Sequence, residues 1–447
     1  MAKILITHGS VITLGKDNRV ILDGAVLMDG GKITAIGKTE EVEKRPDASG
    51  AEVIDARGRV VMPGFICAHH HFYSTLCCGL ASKPGANFVE VLENLWWKLD
   101  RALSLEDCVV SAQIPILRAI RSGTTTIFDH HASPCAIRGS LHAIADVVRS
   151  SGIRASLCYE ITDRNGLSGA DEGIAESKAF LEEAKADTTG RLHALVGLHA
   201  AMTIGKSTMD KCVKLVRDFD SGFHVHVAEG QADQDDSIAK YGMRVVERLH
   251  EVGALGKKTM AIHCIHITDR EIDLLKESGT TVVHNPQSNM NNAVGAARII
   301  DMIQKGIRVG LGTDGMTSDM REEVRNGMWL RHHEHKDPRV GFMELATMLL
   351  KNNASIASDA FGQTIGSLEV GGAADLIISD HIPFTPLSAD NAYGHILFGV
   401  TAAPVDTTIA GGKVLMKHKE VLTMDDEKIC AHAARLAPDT WKRFAAL

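Results

Sequence analysis

The chain has 447 residues, 45% of them hydrophobic and 23% charged, enough to bury a large core. That length exceeds one ordinary domain but accommodates an α/β barrel of about 250 residues plus a second unit. A net charge of −8 with no run of Lys or Arg excludes a nucleic-acid footprint, and no stretch reaches the roughly 18 apolar residues of a membrane span.

In chain order, residues 1–61 alternate short apolar runs with turns. Met1-Ala2-Lys3-Ile4-Leu5-Ile6-Thr7-His8 predicts a first strand, too short and too interrupted for a secretory signal. Together with nine Cys that form no CxxC pair, this predicts reduced thiols and a cytoplasmic location. Asp29-Gly30-Gly31-Lys32, between two apolar runs at 25–28 and 33–37, predicts a hairpin. From 62 to 375, strands over 124–129, 192–199, 222–227, 260–263, 281–284 and 309–314 alternate with amphipathic helices such as 209–218 and 270–277. Repeated strand–helix alternation implies a parallel barrel. Strand character returns over 376–379 and 407–416, able to pair with the N-terminal strands, and 425–447 predicts a terminal helix. The expected fold class is α/β: a (β/α)8 TIM-like barrel over 62–375, with a small β-sandwich domain built from both chain ends, 1–61 and 376–447.

Residues that carry chemistry fall at predicted strand ends, the face on which barrel enzymes work. His69 and His71 are two apart on a strand and point the same way. Imidazole suits zinc or iron. His226 ends an apolar strand, with Glu229 three positions on; His224 is the competing inward histidine. His226 is preferred because Glu229 then falls in the loop beyond the strand. His263 closes Met260-Ala261-Ile262, with His266 as its competitor. Asp314, in Gly312-Thr313-Asp314-Gly315 after an apolar run, is costly to bury unpaired, and a metal satisfies it.

Phe72 and Tyr73 follow the HxH pair directly and are expected to line the site. Of Trp96 and Trp97 only one can face a given side of a helix; Trp97 is the expected stacking residue. One of Asp129, His130 and His131 is expected to face the pocket, and Glu160 and Arg164 either meet polar substrate groups or form a surface ion pair. His332-His333-Glu334-His335-Lys336 reads as a solvated helix end whose spacing does not match HExxH. Cys67 and Cys264 read as small apolar packing.

Pro63-Gly64-Phe65 through His71, His226 to Glu229, Ala261-Ile262-His263, Ser288-Asn289 after His284, Gly312 to Gly315, and Gly372-Ala373-Ala374-Asp375-Leu376 occur in an order that resembles the amidohydrolase superfamily, and within it the metal-dependent deaminase and chlorohydrolase group. The likeness covers nearly the whole chain. It implies His69, His71, His226 and Asp314 as metal ligands, and Glu229, His263 and Asp314 as catalytic groups. It implies His199 as a substrate-orienting histidine and Ser288 and Asn289 as framing the pocket. Two-metal relatives bridge their ions with a modified lysine on the fourth strand; residues 192–203 contain no Lys, so one divalent ion is expected, zinc, with iron as the alternative.

The implied function is that of a hydrolase acting on C–N bonds other than peptide bonds. It would deaminate a nitrogen heterocycle (purine, pterin or pyrimidine) with a metal-activated hydroxide. Opening of a cyclic amide or amidine, or dechlorination, are alternatives on the same site. A non-catalytic metal-binding protein would not need both Glu229 and His263. The implied partner is a small heterocyclic substrate, with neither nucleic acid nor membrane, and relatives commonly form homo-oligomers.

Overall fold

The structure, a computed structural model, describes residues 3–447. Its centre is a parallel barrel of eight strands: Phe65–His70 (β1), Thr124–His131 (β2), Arg154–Ile161 (β3), Val196–Ala200 (β4), Phe223–Val227 (β5), Met260–His263 (β6), Thr281–His284 (β7) and Val309–Leu311 (β8). Each pairs with its neighbour in sequence order. Helices fill the crossovers, as the right-handed strand–helix–strand connection requires. The barrel closes through a parallel bridge between His70 and Asp314, with the amides of Thr313 and Asp314 donating to the His69 carbonyl at 2.9 and 3.1 Å. Closure therefore happens at residues of the site itself.

A second, nine-stranded sheet is assembled from both chain ends. Leu376–Ser379 pairs antiparallel with Val60–Pro63, Leu376 opposite Pro63, and so joins the two halves. Ile4, Ile6, Val26, Met28, Ile54 and Ile378 pack together beneath it. The predicted hairpin forms with Asp29 opposite Lys32, and Gly30 and Gly31 take φ of 56° and 81°, a left-handed pair that glycine adopts without steric cost.

Several limits differ from expectation. The first strand is Ile4–Ile12, interrupted by a register shift between Ile6 and Gly9, so it runs on past His8; Met1 and Ala2 lie outside the described residues. The single strand expected over 407–416 is a hairpin, Val405–Ala410 and Lys413–Lys417, turning at Gly411-Gly412. The strand expected over 192–199 is two short pieces, Leu192–Ala194 and β4. The strand expected over 309–314 ends at Leu311, so Asp314 lies on the loop that follows β8. The expected helices are Lys206–Phe219, Asp269–Ser278 and Asp426–Ala445. Among the described residues no helix is long and apolar enough to cross a membrane.

Candidate metal centre

The C-terminal ends of β1, β5, β6 and β8 converge. Ligand atoms of His69, His71 and Asp314 all lie within 4.8 Å of one another, as do those of His69, His226 and His263. His71 Nε2 and His226 Nε2 are 3.1 Å apart. Asp314 Oδ1 is 3.3 Å from His71 Nε2 and 4.0 Å from His69 Nε2.

The opposite ring nitrogens assign the tautomers. His71 Nδ1 donates to the His130 carbonyl at 2.6 Å, and His226 Nδ1 to the His199 carbonyl at 2.7 Å, so each Nε2 presents a lone pair. Burial holds the rings of His69, His71 and His226 below the ordinary histidine value, and neighbouring imidazoles add to the effect at His69 and His226. They are neutral, the form that binds metal. His69 Nδ1 meets His224 Nε2 at 2.8 Å, while His69 Nε2 is buried without a hydrogen-bond partner. Two lone pairs 3.1 Å apart, with the buried and unpartnered Nε2 of His69 beside them, make a site that a cation would satisfy.

Asp314 adds charge to this donor set. Burial opposes its ionisation. The facing imidazoles of His71 and His263, with hydrogen bonds from Ser288 Oγ at 2.7 Å and Gly315 N at 2.6 Å, outweigh it and hold the carboxyl below its usual value. Three neutral imidazoles and one carboxylate fit a divalent first-row ion.

Glu229 and His263 stand beside these residues. His263 Nδ1 donates to Asn289 Oδ1 at 2.8 Å, which turns Nε2 toward Glu229 Oε2 at 3.4 Å and Asp314 Oδ2 at 3.5 Å. Burial, and then the charge of Asp314, push the Glu229 carboxyl well above its ordinary value. Ala228, His263, Cys264 and Asp314 all take left-handed φ, between 47° and 70°. Such strain costs about 1–3 kcal/mol per residue and persists where the surroundings over-determine it. One such constraint is Asp233, which accepts from Ala228 N at 2.9 Å and Met202 N at 2.8 Å and clamps the loop carrying Glu229.

A cavity opens over the cluster, with Tyr73, Trp96, Trp97, His199 and Glu160 in its walls. Tyr73, Trp97 and His199 thus lie where a substrate contact was expected. Phe72 does not: its ring packs into the core, 5.2 Å from His70. Asn289 is buried behind His263 and reaches the cavity only through that ring. Both indoles line the cavity, contrary to the one-face argument; Trp96 is the last residue of a π-helical stretch, Leu92–Trp96, whose wider turn changes the angular spacing of successive side chains. Glu160 and Arg164 form a buried ion pair at 3.2 Å rather than a surface one.

His224 and His226 are not alternatives. Both point inward, one behind His69 and one into the cavity. His266 stays outside the cluster, its amide bonded to the Ala228 carbonyl. Of the 129–131 run, Asp129 accepts from Phe72 N at 2.7 Å, His131 meets Ser133 Oγ at 2.9 Å, and His130 turns inward against His71 and His226. Asn292, which donates to Glu229 Oε1 at 3.4 Å, and the Asp233 clamp went unread in the sequence, since nothing in their spacing marks them. The 332–336 run ends the helix Met320–His335, away from the cavity, and Cys67 and Cys264 are buried.

The fold and this histidine–carboxylate cluster define a barrel hydrolase of the metal-dependent class. The chain belongs to the amidohydrolase family, whose model matches residues 60–415. It is 32% identical over 445 residues, 98% of each chain, to a 5'-deoxyadenosine deaminase of Methanosarcina mazei. It is 30% identical over 444 residues, 97% of this chain and 98% of the other, to a 5-methylthioadenosine/S-adenosylhomocysteine deaminase of Syntrophomonas wolfei. An adenosine deaminase from Xanthomonas campestris with bound zinc shares the fold, with a TM-score of 0.86 at 24% identity over 100% of this chain and 99% of the other.

Proposed function

We propose that the protein is an aminohydrolase that removes the exocyclic amino group of an adenine nucleoside. One zinc ion, held by His69, His71, His226 and Asp314, would serve the reaction. The observation that carries this reading is the convergence of buried, lone-pair-bearing imidazole nitrogens on Asp314, directly beside Glu229 and His263. The named activities of the relatives support the substrate class.

A bound divalent ion supplies a water whose pKa falls from 15.7 toward about 7. Glu229 is the proton carrier. Its Oε2, beside His263 Nε2, is placed to take a proton from the attacking water, hold it, and deliver it to the ring nitrogen being attacked. His263, neutral because it is buried, offers Nε2 to the same water and steadies it for attack. Asp314, positioned by Ser288, can take up the remaining water proton and pass it to the departing ammonia. Tyr73, Trp96 and Trp97 wall the cavity with aromatic faces against which a planar base stacks.

The test loads the protein with zinc and follows ammonia release and the ultraviolet change from adenine to hypoxanthine with adenosine, 5'-deoxyadenosine and 5'-methylthioadenosine. Turnover of at least one is expected. Stoichiometric metal without ammonia from any of them would return the chain to the non-catalytic metal-binding reading. Elemental analysis of protein purified without added metal separates zinc from iron.

A further inference from the structure

We infer that Glu160 is the specificity carboxylate of the cavity: it accepts hydrogen bonds from a neutral or cationic part of the substrate, and the site turns away substrates that carry phosphate or carboxylate. This rests on the nucleoside reading above and narrows it.

The described walls of the cavity carry Glu160, Glu229, Asp233 and Asp314, but no Lys or Arg. Three of these carboxylates are already engaged. Asp314 faces the histidine cluster, Glu229 faces His263, and Asp233 is taken up by two backbone amides. Glu160 remains. Its Oε1 accepts from Arg164 Nη2 at 3.2 Å, and its Oε2 lies 3.2 Å from His130 Nδ1. An ionised carboxylate only accepts, and has about four lone-pair sites, so part of that capacity is left for the cavity.

Arg164 does not line the cavity. Its guanidinium is shared between Asp100 at 2.9 Å and Glu160, and lies over the Trp97 ring at 4.8 Å. It is a positioning residue that holds the carboxylate and the indole in one arrangement. An anionic substituent entering beside Glu160 would meet like charge and find no cation in the wall to pair with.

The test is a charge series on one scaffold: 5'-amino-5'-deoxyadenosine (cationic), 5'-deoxyadenosine (neutral) and adenosine 5'-monophosphate (anionic). Binding to zinc-loaded protein is read by quenching of indole emission. The monophosphate is expected to bind at least roughly 100-fold more weakly than the neutral nucleoside, and the amine as tightly as the neutral nucleoside or better. In Glu160→Gln the spread should narrow by roughly tenfold. Equal affinity for the monophosphate and the neutral nucleoside overturns the inference, as does an unchanged spread in a folded Glu160→Gln. If that variant does not fold, the wild-type series decides.

Ammonia is scored separately. The expected charge order without ammonia sinks the deaminase reading and leaves the role of Glu160 standing. Equal kcat/KM for monophosphate and nucleoside leaves deamination standing and sinks the role of Glu160. Absence of binding by all three sinks both.

Discussion

His71 Nε2 and His226 Nε2 face each other at 3.1 Å with both Nδ1 protons committed to carbonyls, an arrangement whose lone-pair repulsion a cation between them relieves. Loss of one ligand should therefore be felt as loss of metal. His226→Ala is expected to drop zinc below stoichiometric occupancy, and the melting temperature should fall toward that of chelator-treated wild type. Retention of one ion per chain in that variant would remove His226 from the ligand set. Glu229 makes the opposite prediction, because its oxygens contact His263 and Asn292 rather than the other three imidazoles. Glu229→Gln should keep the metal and lose roughly 10²–10⁴-fold in kcat, the usual worth of a positioned proton carrier. Elemental analysis beside an ammonia assay checks both halves; wild-type turnover in Glu229→Gln would dismiss the assignment.

Elements meet the site at very close range. A Cβ on Gly312 would fall 2.7 Å from His69 Cβ and 2.8 Å from His69 N, because the segment after β8 crosses directly over β1. Gly312→Ala should destabilise the fold by about 1–3 kcal/mol and lower zinc occupancy, since the backbone that must yield carries His69, a proposed ligand. Denaturant melts and metal content measure the two effects, and neutrality in both would mean that the approach is looser than these contacts. The helix Pro286–Asn291, which presents Ser288 and Asn289, is braced by Glu323 from the helix Met320–His335. Gln287 donates to it from its backbone amide at 3.1 Å and its side chain at 2.6 Å.

Burial pushes Glu323 up to about 8 against those two hydrogen bonds. The folded state thus keeps a proton that the unfolded chain releases near about 4.3. Its contribution to stability is whole below that lower value and is lost as pH climbs through about 8. Wild type should melt at progressively lower temperature between about pH 4 and about pH 8 and level off above it, and Glu323→Gln should flatten that slope. An equal slope in both proteins would place the titration elsewhere.

Over the whole molecule, the end sheet and barrel are locked by buried charge as well as by packing. Arg154, at the start of β3, grips Asp375, just ahead of the strand Leu376–Ser379, through Nε at 2.8 Å and Nη2 at 3.3 Å. Both side chains are almost fully buried. Removing one partner strands the other in a low-dielectric seam, so Arg154→Met should cost about 3–5 kcal/mol in thermal or urea unfolding while leaving zinc stoichiometry intact. A loss well under 1 kcal/mol would show that water reaches the seam and solvates Asp375. The C-terminal helix adds to the assembly, with Trp441 Nε1 donating to the Leu76 carbonyl at 2.8 Å and Arg443 paired with buried Asp107.

The alternation of short apolar strands with amphipathic helices, and the placing of His, Glu and Asp at strand ends, were legible along the chain. Both are short-range patterns: side-chain periodicity announces an element, and a polar residue closing an apolar run announces its end. The sequence by itself therefore determined the barrel, the joined chain ends, and the six side chains His69, His71, His226, Glu229, His263 and Asp314 as candidates. It could not decide what depends on contacts between distant elements. Phe72 turned into the core, and both indoles faced the cavity. His224 backed His69 instead of competing with His226. Glu160 and Arg164 became a buried pair with Trp97 beneath the guanidinium. Each of these was settled by which neighbour came within a few ångströms on closure of the barrel, a distance that no local pattern encodes.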